Sequence, residues 1–525
     1  MKKHLRWAAL GIAASALAMW AGEARAAVRL PKIFGDGMVV QQKAPVPVWG
    51  WANAGEKVTV SFAGRSESAT ADADGKWMVK LPEMPADKQG REMTVAGENT
   101  VAFKDVLVGE VWICGGQSNM EMVVNGCRNA AEEKAAATNP LIRHIKVTRV
   151  SSAESLADIT GQWTACSPET VGNFTAVGYF FARELAKELD VPVGLIGSNW
   201  GGTRIEPWTP PAAFRAVPEL KALADQVEGW SVQTEAGRAK YAQYIAALKT
   251  WIPMAEAAVA AKQQPPPAPE SPLPRPSSTQ PTHLYNSMIH PLVPYAIRGA
   301  IWYQGEANGN EGVTYIHKTG ALVAGWRQVW GSEFPFYWVQ LANYRTSDRN
   351  NPSGGDGYAR TREAQMQAMS IANTGMACII DIGEEKDIHP KNKQDVGKRL
   401  ALWALAKTYG REGLVFSGPL YKGSAVEGGK IRIAFDHAAG LFIGLKDGLE
   451  PPRPSNEKLR WVAIAGEDKV WQWADAVVDG ETLVVSCDKV EKPVAVRYGF
   501  TANPDGPNLY NAAGLPASPF RTDEW

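Results

Sequence analysis

The sequence predicts an α/β fold in which a sheet of about five parallel strands carries helices on both faces, with a β-rich region on each side. Between residues 105 and 412, continuously apolar runs of strand length alternate with segments of helical periodicity. Residues 27–104 and 413–525 instead contain short Val- and Trp-rich segments separated by turn signals such as NAGE, DADG and DGE. The chain of 525 residues is also too long for one compact core, so we expect two or three domains.

Five apolar runs form the predicted central sheet, and each is typical of a strand that is buried on both faces. Helical segments such as FTAVGYFFARELAKEL and KQDVGKRLALWALAKTYG follow them in the chain. Because strand–helix–strand units build parallel sheets through right-handed crossovers, the helices should cover both faces. The result is a doubly wound, flavodoxin-like core over residues 105–412. The five runs are VLVGEVWIC, VPVGLIG, AIRGAIWYQ, FPFYWVQLA and MACIIDIG.

Residues 211–282 interrupt this alternation. They begin with two helical patches, ELKALADQVEGW and KYAQYIAALKTW, and continue as QQPPPAPESPLPRPSSTQP. A proline run of this kind cannot join a helix or a central strand, so we predict a helical and Pro-rich insertion on the surface. The N-terminal β-rich domain (27–104) and the C-terminal β-rich region (413–525) flank the core. Their periodicity leaves open whether they are separate modules or one domain built from both chain ends.

Residues 1–26 have the pattern of a signal peptide. A basic start, MKKHLR, precedes the apolar stretch WAALGIAASALAMW, and small residues stand at Ala24 and Ala26. A membrane anchor is the alternative, but the apolar stretch is shorter than the ~20 residues that span a bilayer. We therefore expect an exported bacterial protein, periplasmic or secreted.

Charge and cysteine content exclude several classes of partner. The formal net charge of zero argues against nucleic acid or an anionic membrane as the main partner. The five cysteines are an odd, sparse set without a CxxC pair, so the sequence predicts neither a disulfide framework nor a zinc site. We expect no metal and no organic cofactor, and the composition gives no indication of the oligomeric state.

Polar residues follow four of the predicted strands at the edge where open parallel sheets bind ligands. They include a hydroxyl, glycines, amides, carboxylates and one histidine, the groups that acyl transfer through an activated serine requires. Met120 replaces the second glycine of the GxSxG elbow, which argues against an α/β-hydrolase. The residues are Gly115, Gly116, Gln117, Ser118 and Asn119; Ser198, Asn199, Trp200, Gly201, Gly202, Thr203 and Arg204; Gln304, Gly305, Glu306, Ala307 and Asn308; and Glu384, Glu385, Lys386, Asp387, Ile388 and His389.

Each of these residues also has a purely structural interpretation. Ser118 could be the N-cap of the following helix, because serine is a favoured capping residue. His389 could be a loop histidine with a local hydrogen bond. The Gly201-Gly202 pair is typical of a tight turn, and the carboxylates could form stabilising ion pairs with arginine.

Four blocks of the sequence resemble the sialate O-acetylesterase family, which belongs to the SGNH hydrolase superfamily. This family is also similar to carbohydrate esterases that act on acetylated plant polysaccharides. The resemblance extends from KIFGDGMVVQQ to NLYNAAGLPASPFRTDEW, which is most of the chain after residue 26. The four blocks are GGQSNMEM, SNWGGTRIEPW, IWYQGEAN and DIGEEKDIHPKNKQDVGKRLALWALA.

The resemblance implies an SGNH hydrolase core and a carbohydrate O-acetylesterase that works through an acetyl-enzyme. Ser118 would be the nucleophile, and His389, with an ordinary imidazole pKa near ~6.5, would be its general base. The oxyanion of the tetrahedral intermediate would be stabilised by the Ser118 N–H, by the N–H of Gly201 or Gly202, and by the side-chain amide of Gln304.

The third catalytic member is open between two carboxylates. The superfamily usually keeps an aspartate three residues before the histidine, where this sequence has Lys386, whereas Asp387 lies two residues before it. Some related acetylxylan esterases take the acid from the QGE block, where Glu306 stands. We slightly favour Asp387, and either carboxylate would fix the imidazole tautomer.

An acetylated carbohydrate is the expected substrate: sialic acid, or a hemicellulose such as xyloglucan or xylan. Indole faces stack on sugar rings, and Arg204 could pair with a sialic acid carboxylate. Two other classes of function stay possible at this point, a non-catalytic carbohydrate-binding protein on the same scaffold and an esterase for lipids or peptides. The residues expected to bind substrate are Gln117, Asn119, Trp200, Arg204 and Asn308.

Overall fold

The computed structural model describes residues 27–525, so the predicted signal peptide lies outside the described residues. Strands occur in three groups along the chain. The first is β1 Val39–Gln41, β2 Val46–Trp51, β3 Lys57–Phe62, β4 Arg65–Thr70, β5 Lys76–Leu81, β6 Asp87–Ala96 and β7 Thr100–Gly116. The second is β8 Ile142–Lys146, β9 Trp163–Ala165, β10 Val193–Asn199, β11 Gly299–Tyr303, β12 Phe336–Val339 and β13 Thr374–Ala377. The third is β14 Leu420–Glu427, β15 Lys430–Asp436, β16 Phe442–Leu445, β17 Arg453–Pro454, β18 Val462–Gly466, β19 Trp471–Trp473, β20 Asp475–Asp479, β21 Thr482–Ser486, β22 Pro493–Tyr498, β23 Leu509–Tyr510 and β24 Phe520–Arg521.

The α-helices lie between the end of β7 and the start of β14, and three of them, α4 to α6, fall in the predicted insertion. None of the helices in residues 27–525 is long and apolar enough to span a bilayer. The helices are α1 Ser118–Glu121, α2 Ala130–Ala135, α3 Ala176–Leu189, α4 Pro211–Arg215, α5 Lys221–Glu228, α6 Glu235–Ala260, α7 Thr314–Trp330, α8 Gly357–Gln367 and α9 Lys393–Trp403.

The central sheet has the strand order β13-β12-β11-β7-β10-β8-β9. Its first six strands are parallel, and β9 is antiparallel at the edge. The five predicted strands correspond to β7, β10, β11, β12 and β13, and β8 is an additional parallel strand that was not predicted from the sequence. An α/β core accompanied by β-rich regions is therefore the observed fold class.

Both faces of this sheet are buried, because successive side chains of a strand point to opposite sides. In β7, Ile113 packs in the cluster that contains Trp326 of α7, whereas Trp112 and Cys114 pack in the cluster that contains Val177 of α3. Helices α3 and α9 contact each other on the second face. Burial on both faces explains why the strands are continuously apolar in sequence.

Strand β7 joins the N-terminal β region to the core. Its first half pairs antiparallel with β6 and parallel with β1, and its last seven residues pair with β10 and β11. The predicted boundary at residue 104 therefore falls inside a continuous strand of 17 residues. This strand carries the chain directly from the β-rich region to the edge of the sheet where Gly116 ends it.

The C-terminal strands form their own sheets around a separate apolar cluster. In the described residues, none of them pairs with a strand of the N-terminal region. Arg362 of α8 is one of the residues that connect them to the core: it is fully buried and donates hydrogen bonds to four carbonyl groups. Two of these belong to Leu341 and Ala342 and two to Thr501 and Ala502. The C-terminal region thereby fixes the loop that follows β12.

Candidate active site

The turn after β7 is built so that a side chain projects from the end of the strand. Gly116 has φ +133°, and a Cβ atom at this position would lie 2.2 Å from the Tyr303 carbonyl oxygen, so only glycine fits. The Gln117 N–H donates to the same carbonyl at 3.0 Å. Helix α1 then begins at Ser118, with Gln117 in the N-cap position. Ser118 is thus not a helix cap, and its hydroxyl has a different partner.

That partner is the imidazole of His389. The distance between Ser118 Oγ and His389 Nε2 is 2.9 Å, although the two residues are 271 positions apart in the sequence. His389 lies in the loop between β13 and α9 with a half-buried side chain. Burial lowers the pKa of His389 below its ordinary value of 6.5. The ring is therefore neutral at neutral pH and can accept the hydroxyl proton.

Asp387 lies on the other side of the imidazole. Its Oδ1 is 3.4 Å from His389 Nδ1 and accepts a hydrogen bond of 2.9 Å from the His389 backbone N–H. Lys391 Nζ lies 2.9 Å from Oδ2, and this hydrogen bond is the main reason why the pKa of Asp387 is lowered. Since 3.4 Å exceeds an ordinary hydrogen-bond length, the carboxylate acts on the ring mainly through its charge.

Glu306, the second candidate for the third member, contacts a different residue. Its Oε1 accepts a hydrogen bond of 2.5 Å from Asn119 Nδ2, and its buried Oε2 has no hydrogen-bond partner in the described chain. Burial raises the pKa of Glu306. The arrangement places Asp387, and not Glu306, beside the imidazole.

The expected backbone donors to the oxyanion differ in whether their N–H already has an acceptor within the protein. The Ser118 N–H has no acceptor within residues 27–525 and is available. A Cβ atom on Gly201 would lie 3.3 Å from Ser118 Cβ, so this glycine is adjacent to the nucleophile. Its N–H, however, donates to Glu121 Oε2 at 2.8 Å. The neighbouring Gly202 has φ +74° and an N–H without an acceptor in the described residues.

Gln304 does not occupy the position expected of an oxyanion donor. Its side chain is fully buried, and Nε2 already donates to three oxygens, those of Gln117 Oε1, Thr203 O and Asn308 Oδ1. Its Oε1 accepts the hydroxyl proton of Tyr315 at 2.6 Å. With every polar group of the amide committed, Gln304 holds neighbouring loops together and offers no free donor.

The residues expected to bind substrate differ in exposure. Gln117, Asn119 and Asn308 are buried and bonded within the protein. Arg204 is 43% exposed, but its guanidinium contacts the carboxylates of Glu206 and Glu311. Trp200 is half-buried and carries a guanidinium 5.6 Å from its ring centroid. Trp200 and Arg204 are thus the two members of this set that reach the surface.

Comparison with known proteins gives the family. No protein-family model matches the chain. Sialate O-acetylesterase from Rattus norvegicus is 31% identical over 535 residues, which cover 92% of each chain. The chain belongs to the sialate O-acetylesterase family. The human family member is 28% identical over 555 residues, covering 96% of this chain and 94% of that protein.

Among solved structures, a novel carbohydrate acetylesterase from Xanthomonas citri matches with a TM-score of 0.78 and 36% identity. The match covers 95% of this chain and 100% of that chain. The resemblance predicted from the four blocks is confirmed. This chain is therefore a carboxylic ester hydrolase. Its relatives support hydrolysis of acetyl esters on carbohydrates. The prediction of an enzyme is therefore preferred to that of a non-catalytic binding protein.

Three charged residues at the site were not identified from the sequence. Glu121 contacts Gly201, as described above, and its Oε1 lies 3.3 Å from Arg149 Nη1. Arg149 lies over Trp200. Lys393, the first residue of α9, is fully buried and contacts Asn119. Only Glu121 could have been identified from the sequence, because it lies three residues after Ser118 and therefore on the same face of a helix.

Proposed function

We propose that this family member is a carbohydrate O-acetylesterase of the SGNH type, with Ser118 as nucleophile and His389 as general base. The observation that carries the proposal is the 2.9 Å contact between Ser118 Oγ and His389 Nε2 at the carboxyl edge of the parallel sheet. Asp387 is the third member, because its charge lies beside Nδ1.

The reaction proceeds in two displacements. Ser118 Oγ attacks the acetyl carbonyl carbon while His389 Nε2 accepts the hydroxyl proton. The bond between the carbonyl carbon and the sugar oxygen then breaks, and the imidazolium gives its proton to that oxygen. Water attacks the acetyl-enzyme in the same way, so that acetate leaves and Ser118 regains its proton.

The negative oxygen of each tetrahedral intermediate requires hydrogen-bond donors that are already in place. The Ser118 N–H is one of them, and the Gly201-Gly202 turn supplies the other. The Gly201 N–H becomes available when the Glu121 carboxylate moves away from it. Loss of one such donor typically lowers the rate by ~10²–10³.

We further propose that the preferred acetylated sugar is uncharged, as in xylan or xyloglucan, and is not sialic acid. Recognition of a sugar carboxylate requires a cation whose charge is not already compensated. Three of the cations at the site, apart from the buried Lys393 and the exposed Lys386, already contact a carboxylate of the protein. They are Arg149 with Glu121, Arg204 with Glu206 and Glu311, and Lys391 with Asp387.

The test is acetate release from acetylated xylan, acetylated xyloglucan and O-acetylated sialic acid, measured side by side. Ser118→Ala and His389→Ala should abolish release with nearly unchanged melting temperatures. A large loss of stability in both variants would favour a structural role for these residues. A preference for the sialic acid ester would contradict the charge argument and leave the esterase mechanism intact.

Export is proposed on the pattern of residues 1–26. Cleavage after Ala26 would leave a chain that begins AVRLP. An intact-mass measurement on protein produced with its own N-terminus tests this, and a mass that retains residues 1–26 would contradict it.

A further inference from the structure

A single buried amide connects the nucleophile turn to the histidine loop. Asn119, directly after Ser118 in the chain, is 1% exposed. Its Nδ2 donates to the carbonyl oxygen of Ile388 at 3.0 Å and to Glu306 Oε1 at 2.5 Å. Ile388 is the residue directly before His389. The amide therefore joins the neighbour of the proposed nucleophile to the neighbour of the proposed base.

The orientation of that amide is set by Lys393. Its side chain is fully buried, and Nζ donates to Asn119 Oδ1 at 2.5 Å. An ammonium group has donors only, so the amide must present its oxygen to Lys393. The two N–H groups then have to face Glu306 and Ile388. With a neutral residue at position 393, the amide oxygen would lose this fixed partner.

The structure also explains how an ammonium group is tolerated there. An unpaired buried charge is costly, and a cation is retained only where acceptors or opposite charges surround it. Lys393 has the Asn119 oxygen, the face of the Tyr303 ring with its centroid at 5.1 Å, and the Glu306 carboxylate on the far side of the amide.

We propose that Lys393 is a positioning residue: its ammonium group fixes the Asn119 amide and thereby holds Ser118 and His389 in register. This inference rests on the proposed function, because it assumes that the Ser118–His389 contact is the one that reacts. It assigns no contact between Lys393 and the substrate. A displacement of about 1 Å between reacting groups can lower a rate roughly 10²-fold. Loss of this positioning contact should therefore reduce activity measurably.

Protonation of Lys393 gives this positioning contact a pH dependence. Burial lowers the pKa of Lys393 to about 7, while Glu306, Glu384 and Asp387 oppose the shift and Lys391 adds to it. His389 is the remaining titratable group on the same loop, and Tyr303 faces the ammonium from β11. Above the pKa of Lys393, the amine is neutral and holds the amide less firmly. We therefore expect kcat to decline on the alkaline side of neutrality, independently of the acid decline caused by His389.

The experiment compares Lys393→Met, Lys393→Arg and a control, Lys398→Met, on the exposed face of the same helix. Lys393→Met should lower kcat roughly 10- to 100-fold, leave KM within about twofold and abolish the alkaline decline. Lys393→Arg, which stays charged, should recover part of kcat and move the alkaline decline upward by at least about one pH unit. Lys398→Met should match the wild type.

A second readout separates this inference from the proposed function. The rate at which a fluorophosphonate labels Ser118 requires an aligned histidine but no acetylated sugar, and it should fall in Lys393→Met. If Lys393→Met is labelled more slowly but the wild type releases no acetate, the positioning role of Lys393 is supported and the esterase proposal is refuted. A folded Lys393→Met with wild-type labelling and pH profile would overturn the positioning role. If that variant does not fold, an unshifted alkaline decline in Lys393→Arg would overturn it.

Discussion

Asp387→Asn is the substitution that best separates the two candidates for the third catalytic member. It removes the charge beside His389 Nδ1 but keeps the size of the side chain and an oxygen that accepts the His389 backbone N–H. Glu306→Gln is the matched control, because it removes the other charge while retaining an acceptor for Asn119. Both variants are expected to fold.

The expected loss follows from the geometry. Two unit charges about 4 Å apart interact by about 1 kcal/mol in water and about 4 kcal/mol at an effective dielectric constant near ~20. Asp387 and His389 are 37% and 38% exposed, and Lys391 binds the second carboxylate oxygen, so the lower half of this range applies. A loss of about 1.4 to 2.5 kcal/mol corresponds to a kcat roughly 10- to 70-fold lower.

The assay is steady-state acetate release as a function of pH. The Asp387 carboxylate raises the pKa of His389 against the larger effect of burial, so its removal should shift the acid decline to lower pH. Glu306→Gln should lower kcat by less than about tenfold. If neither variant loses more than about tenfold, the site is a Ser–His dyad. A larger loss in Glu306→Gln than in Asp387→Asn would refute the assignment of Asp387.

Three further predictions concern the histidine, the oxyanion donors and the turn after β7. Because burial lowers the pKa of His389 and the neutral ring is the active form, the acid decline of kcat should lie below pH 6.5, and an acid half-maximal point above 6.5 would contradict this. Glu121→Gln should raise kcat/KM roughly threefold to tenfold, since a neutral amide competes less strongly than a carboxylate for the Gly201 N–H, and an unchanged or lower value would refute that competition. Gly116→Ala should lower the free energy of unfolding by at least about 2 kcal/mol in denaturant titrations, because its Cβ would clash with the Tyr303 carbonyl; near-native stability would show that the turn relaxes.

The strands of the core were predictable where burial on both faces produced a continuous apolar run. Strand β8 was not, because its sequence IRHIK contains two polar residues that are nevertheless buried. Arg143 is compensated by Asp105 at 2.7 Å, and the His144 ring packs on Phe174 with centroids 4.8 Å apart. These partners come from distant parts of the chain, so the local pattern cannot indicate that the segment is a strand.

The proposed nucleophile and base were found in the sequence because carboxyl ends of parallel strands converge. The actual placement of Gln304 could not be found in this way, because it depends on acceptors contributed by three other segments. Lys393 was equally hidden, since a lysine in the first turn of a helix is normally exposed to solvent. In both residues tertiary hydrogen bonding, and not residue type, determines the role.

In the proposed mechanism, the hydroxyl of Ser118 carries the acetyl group during turnover. The most direct test of this step is rapid quenching of the reaction with an activated acetyl ester, followed by intact-mass measurement and peptide mapping. We expect an adduct of one acetyl group on the peptide that contains Ser118, and no adduct in Ser118→Ala. Turnover with no covalent adduct at any quench time, or an adduct on another residue, would contradict it.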